Sequence, residues 1–237
     1  MSKTPIASGT FAQVLKSHDD NTVVRVATAS GIFSEIMKNE CAINKSLAGS
    51  PSILNQLEAY IVGYDMQPTC TIVQRLEYAG IPFLSGDWYK PEMMPEILNQ
   101  MRMALGFLRN KGIVHNDIMP NNIMRNGSKF TIIDFNSARQ EGSVIEACAA
   151  TCIEYRPPEG HFKRVARCSY DIYSMAIVML ELQNGTSLLR APIAFRDMRL
   201  GPDGCSLMMA EILDESRGCL EDPWRSMLEW DPEKRVF

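Results

Sequence analysis

Two short stretches carry side chains whose types and spacing suit chemistry. The first reads His115-Asn116-Asp117-Ile118-Met119-Pro120-Asn121-Asn122, with an acid two residues after a histidine and an amide five residues after that acid. The second, Thr131-Ile132-Ile133-Asp134-Phe135-Asn136, closes a β-prone run on a carboxylate. Carboxylate and amide oxygens are the ligands a hard divalent cation takes, and a carboxylate held against a hydroxyl can orient it for attack. The same residues can equally cap a turn after a helix ending near Gly112 and terminate a strand at Asp134.

The surrounding sequence supplies two kinds of scaffold. Residues 1 to about 76 mix short β-rich runs with one helical stretch. Ile6 to Lys16 and Thr22 to Ala27, joined by His18-Asp19-Asp20-Asn21, read as a hairpin with an Asx-rich turn. Ser34 to Leu47 places Ile36, Met37, Ile43 and Leu47 among charged residues, an amphipathic helix stopped before Gly49 and Pro51. Leu57 to Tyr64 and Thr71 to Leu76 fit two further strands. After Glu77-Tyr78-Ala79-Gly80 the pattern turns helical, with long runs at Pro95 to Gly112 and Tyr170 to Leu182. Two lobes meeting at a cleft is the economical reading.

Composition narrows the function classes. At 46% hydrophobic residues in a chain of 237, a sizeable core can be buried. A net charge of −4 and a pI near 5.5 offer no basic face, so nucleic acid and anionic membrane are not expected partners. Cys41, Cys70, Cys148, Cys152, Cys168, Cys205 and Cys219 are odd in number and form no CxxC pair, which fits a reducing compartment. The start lacks a basic segment followed by an apolar one, and the run Met175 to Leu180 is far below a membrane span, so a cytoplasmic, intracellular protein is expected.

The two chemical stretches resemble the catalytic loop and the metal-binding Asp-Phe-Gly of the eukaryotic-type protein kinases, serine/threonine-like, with Asn136 in place of glycine. That resemblance implies Asp117 as catalytic base, Asn122 and Asp134 as magnesium ligands, and ATP as co-substrate. It implies an α+β, two-lobed kinase fold, with a small β-rich N-lobe (1–76) bearing one main helix, a hinge (77–80) and a larger, mainly α-helical C-lobe (81–237).

Further matches extend it over nearly the whole chain. Ala7-Ser8-Gly9-Thr10-Phe11-Ala12-Gln13-Val14 resembles the phosphate-covering hairpin, keeping one glycine of three, so that Ala7, Gly9 and Ala12 are expected near the phosphates. Arg25, in Val23-Val24-Arg25, stands at the family's lysine, and Glu40 at its partner glutamate. By the same match Val14, Val23 and Met124 sandwich the adenine, Leu76 lies behind it, and Glu77 and Ala79 offer it hinge backbone groups. Tyr155-Arg156-Pro157-Pro158-Glu159 is similar to the end of the activation segment, Asp171 opens a helix like the buried central one, and Arg235 in Asp231-Pro232-Glu233-Lys234-Arg235 is implied to pair with Glu159.

Departures from the family's pattern keep two functions open. Arg25 replaces a lysine, Met119 another, and Asn116 the arginine that reads a phosphorylated activation loop. Cys152 stands where threonine is usual, and Asn44 where the family packs an apolar residue between lobes, the alternative being a solvated helix face. Asn136 is a mild change because asparagine tolerates left-handed backbone. A chain this short resembles the minimal kinases of viruses and bacterial effectors. One reading is a protein serine/threonine kinase acting on a protein substrate, with Pro120 resembling the serine/threonine pattern. The other is a pseudokinase that binds a partner kinase or host protein as scaffold or decoy.

Overall fold

Alternating β-branched residues build the first part of the molecule on two long strands, β3 (Thr22–Ser30) and β5 (Thr69–Glu77). In the computed structural model the described residues are 3–8, 12–17, 21–50, 52–62, 69–145, 152, 155–161, 165–184, 223–229 and 231–237. The chain divides into two units, Met1–Ile81 with Met124–Asn136, and Pro82–Ile123 with Ser137–Phe237.

In the first unit β1 (Lys3–Ser8), β2 (Ala12–Ser17), β3, β5 and β4 (Gln56–Val62) form one antiparallel sheet in the order β1-β2-β3-β5-β4. The single run expected over Ile6–Lys16 is two strands, whose register shifts between Pro5 and Ala7. A proline has no amide to give the ladder, which favours an irregularity there. His18–Asp20 and Tyr64 of the expected runs lie outside the described residues. Helix α1 (Ile32–Ser46) begins two residues earlier than expected, with the Ser34 hydroxyl donating to Gly31 O. Its buried residues include Met37, Glu40, Cys41 and Asn44, spaced on one face, and Met37 and Cys41 pack with Ala27, Ala29, Cys70 and Ile72 of the sheet. Asn44 is therefore buried, not solvated, and its Oδ1 has no partner among the described residues.

Three short strands, β6 (Ile81–Pro82), β8 (Ile123–Asn126) and β9 (Lys129–Ile132), pair in the order β6-β8-β9. Gly80 is required beside them. Its φ is +104°, and a Cβ would sit 2.0 Å from the Arg125 carbonyl oxygen.

The second unit is mainly helical among its described residues. Helix α2 (Met94–Asn110), with Pro95 in its first turn, buries Met94, Ile97, Met101, Ala104, Leu105 and Leu108 on one stripe. Helix α3 (Cys168–Asn184) is buried on every side from Tyr170 to Leu182, with Asp171, Ser174 and Glu181 buried among its apolar residues. Each fully buried apolar side chain of this kind contributes about 1.5–3 kcal/mol of transfer free energy. The short strands β7 (Ile113–Val114) and β10 (Arg139–Gln140) pair beside them, and α4 (Trp224–Met227) precedes a 3-10 turn, Pro232–Lys234, capped by the Asp231 side chain. No described helix is long and apolar enough to cross a membrane.

Candidate active site

In the first unit the sheet, α1 and the β8–β9 hairpin enclose a cavity of about 260 Å³. Val14, Val23, Leu76 and Met124 give it apolar walls, Glu77 and Ala79 lie on its rim, and Arg25, Glu40 and Asp134 bring charge to it. Ala12 does not line it but packs against the Ala27–Cys41–Ile72 cluster. Ala7 lies in β1 opposite Val14, and Gly9 is outside the described residues.

The cation of the cavity is fixed from two sides. Arg25 Nη1 donates to Glu40 Oε2 at 2.5 Å and to Gln74 Oε1 at 3.0 Å. Among the described residues its Nη2 and Nε have no partner, and the side chain keeps 18% exposure. Burial works against the guanidinium's charge, but the charge and hydrogen bond of Glu40 hold its pKa above the ordinary value. Burial holds the Glu40 carboxyl pKa above its ordinary value, against the opposing pull of Arg25. The 2.5 Å contact sets the carboxyl against a permanently charged guanidinium.

Asp134 sits at φ 65°. An aspartate there is locally strained, which packing must sustain. The left-handed position thus falls on Asp134 and not on Asn136, whose tolerance for it is not called upon. Asn136 instead donates from Nδ2 to Asp134 Oδ1 at 2.6 Å, and Asp134 Oδ2 has no partner among the described residues. At the rim, the Glu77 N–H is taken by Asn55 O and the Tyr78 N–H by Asn21 O, whereas Ala79 has both backbone groups without a partner among the described residues. Of the expected hinge contacts, the Glu77 amide is thereby removed.

The loop of the second unit is ordered by its own polar groups. Asn122 Nδ2 donates to both the Asp117 main-chain oxygen and Asp117 Oδ2, each at 2.9 Å, which leaves Asn122 Oδ1 as the amide's outward end. An oxygen so presented fits a hard cation. Asp117 Oδ1 accepts from the Cys152 N–H at 2.8 Å. Because a backbone amide makes that bond, cysteine in place of threonine leaves it intact. Beneath the loop, the buried Asp171 accepts from the His115 and Asn116 amides at 2.7 and 2.9 Å. Burial pushes its pKa up to about 6, against the pull of His115 and the two amides.

Sequence reasoning missed Leu54, Tyr78 and Ile133 on the cavity wall and Gln74 behind it. Gln74 left a signal, a polar residue at an inward position of the alternation Cys70, Ile72, Gln74, Leu76.

Compared with known proteins, residues 2–236 match the family model described as protein kinase domain. Cyclin-dependent kinase G1 of Arabidopsis thaliana is 27% identical over 193 residues, covering 75% of this chain and 32% of that protein. Homeodomain-interacting protein kinase 1 of Mus musculus is 27% identical over 202 residues, covering 77% of this chain and 16% of that protein. Homeodomain-interacting protein kinase 2 of the same organism is 27% identical over 196 residues, with the same two shares. The chain thus spans a third or less of the length of these relatives.

Proposed function

Because the chain belongs to the protein kinase family, we propose that it transfers the γ-phosphoryl group of ATP to serine or threonine hydroxyls of a protein substrate. The observation that carries this reading is the cavity of the first unit. It combines apolar walls for a base, a guanidinium whose Nη2 and Nε have no partner among the described residues, and a carboxylate with one oxygen likewise without a partner among them. Magnesium, when bound, neutralises charge on the phosphates, and Asp134 Oδ2 and Asn122 Oδ1 are the atoms proposed to hold it. Arg25 binds phosphate oxygens through its uncommitted edge, while Glu40 fixes its orientation. Asp117, its carboxylate oriented by Asn122 and the Cys152 amide, accepts the hydrogen bond of the substrate hydroxyl and then its proton. Residues 1–76, 77–80 and 81–237 serve as N-lobe, hinge and C-lobe.

Met119 and Arg25, both in place of lysine, favour a second reading, a pseudokinase scaffold for a partner protein. Initial rates of phosphate transfer to a generic protein substrate decide between them. The enzyme reading expects Asp117→Ala to lose 10²-fold or more and the labelled residues to be serine and threonine. Equal transfer by parent and variant, with label on neither residue type above background, leaves the scaffold.

A further inference from the structure

Gln74 is 1% exposed and sits on an otherwise apolar inward face of β5. A buried amide is tolerated there only if both its ends are satisfied. Its Oε1 accepts from Arg25 Nη1 at 3.0 Å, and its Nε2 donates to Gln56 Oε1 at 2.9 Å. Gln56, also buried, donates from Nε2 to Cys41 O at 3.2 Å, on the helix that carries Glu40. The direction of this relay is forced at both ends. A guanidinium can only donate and a carbonyl can only accept, so each amide has one permitted orientation. Arg25 and Gln74 are also direct partners in the β3–β5 register, so the backbone itself sets their separation.

We propose that Gln74, oriented by Gln56, is a positioning residue that makes the seat at residue 25 specific for a guanidinium. This rests on Arg25 as the phosphate anchor of the proposed reaction. Glu40 and Gln74 occupy the two N–H groups of Nη1, and the planar fork then leaves Nη2 and Nε for phosphate oxygens. Anchoring and ligand binding fall on different atoms. A lysine would have to serve Glu40, Gln74 and the phosphates from one nitrogen on a shorter stem. The arginine is thus matched by a buried amide pair in the sheet.

The test compares dissociation constants of magnesium-ATP and of adenosine, which lacks phosphates, for the parent, Gln74→Leu, Gln74→Glu, Arg25→Lys and the Arg25→Lys/Gln74→Leu double variant. Losing one hydrogen bond to a charged group should weaken magnesium-ATP binding about tenfold in Gln74→Leu, with adenosine within about twofold. Gln74→Glu keeps an oxygen toward Arg25 but sets a second acceptor against Gln56 Oε1 and adds a charge, so it should also weaken magnesium-ATP binding, again with adenosine within about twofold. In the Arg25→Lys background Gln74→Leu should add almost nothing, because the guanidinium it positions is gone. Equal losses for both ligands, or a tenfold loss that persists in the lysine background, overturns the positioning role and leaves the kinase reading standing. A parent that binds magnesium-ATP no better than adenosine removes Arg25 as phosphate anchor, and with it this proposal.

Discussion

Two arginine–glutamate pairs, one in each unit, were both implied by motif and differ in what their guanidinium groups have left to give. Arg235 has a fully buried side chain. Its Nη1 and Nη2 bind Glu159 Oε1 and Oε2 at 2.5 and 2.9 Å, its Nε donates to Glu229 O at 2.7 Å, and its face covers the Tyr173 ring at 5.0 Å. Among the described residues Arg25 commits only Nη1, and it borders a cavity. A guanidinium whose edges are all bound to protein is scaffolding, while one with an open edge can bind a ligand. The same contrast separates Asp171, sealed under the loop, from Asp134, which lines the cavity and whose Oδ2 has no partner among the described residues.

The sharpest way to break the comparison is to remove the sealed arginine. Arg235→Ala leaves the Glu159 carboxylate without its partner and should cost about 3–5 kcal/mol, read as a fall in denaturation midpoint at constant m-value. A near-parental midpoint would show that the bidentate pair is not structural.

Asp171 gives the next effect, through pH. Its folded pKa, about 6, lies above the ordinary aspartate value near 4. The folded chain therefore holds that proton more tightly than the unfolded chain. The stability it contributes is full below about pH 4 and is lost as pH rises through 6. The stability gap between the parent and Asp171→Asn should accordingly widen on going from pH 7 to pH 4, by up to about 3 kcal/mol. A gap that narrows instead would mean that the two amide bonds outweigh burial and keep the carboxylate ionised.

How much of this was legible follows from the same chemistry. The loop residues, both ion pairs and the main helices could be read from the sequence because motif spacing and a period of 3.6 survive in a linear text. Gln74 could not be assigned a partner, since its meaning depends on the cross-strand register that places it opposite Arg25. Asp171 was read as a helix opener, because nothing in sequence brings it to amides 55 and 56 residues away. Nor does the glycine-poor hairpin motif reveal that Ala12 packs against the hydrophobic cluster, since that depends on the β2–β3 register.

A milder substitution sharpens the arginine contrast. Lysine at either site keeps a charge for the glutamate but loses the fork. Arg235→Lys cannot reproduce the two oxygens of Glu159 together with Glu229 O, and should lose about 1–3 kcal/mol of stability. Arg25→Lys keeps Glu40 compensated at a cavity wall but leaves one buried acceptor, Gln74 Oε1, short of its donor, so it should lose about 1 kcal/mol, less than Arg235→Lys and with its main effect on phosphate binding. Thermal or urea unfolding of the two variants side by side checks the order. Equal losses would erase the distinction between a closed and an open guanidinium.

The smallest effect on the unliganded protein should come from Asp134. Asparagine is the informative replacement, because it tolerates the left-handed backbone at φ 65° and retains an oxygen for the Asn136 amide, whereas alanine would add backbone strain. Unliganded stability should then stay within about 0.5 kcal/mol of the parent. What Asp134→Asn removes is the charge facing the cavity. A ligand bound only by the native state raises stability in proportion to the logarithm of its concentration over Kd. In the parent, magnesium should therefore add to the stabilisation given by ATP, and in Asp134→Asn that increment should vanish while the magnesium-free effect of ATP persists or grows, one negative charge near the phosphates having gone. Thermal shifts with ATP, with and without magnesium, measure both. An undiminished magnesium increment in the variant would show that the open oxygen of Asp134 is not a cation ligand.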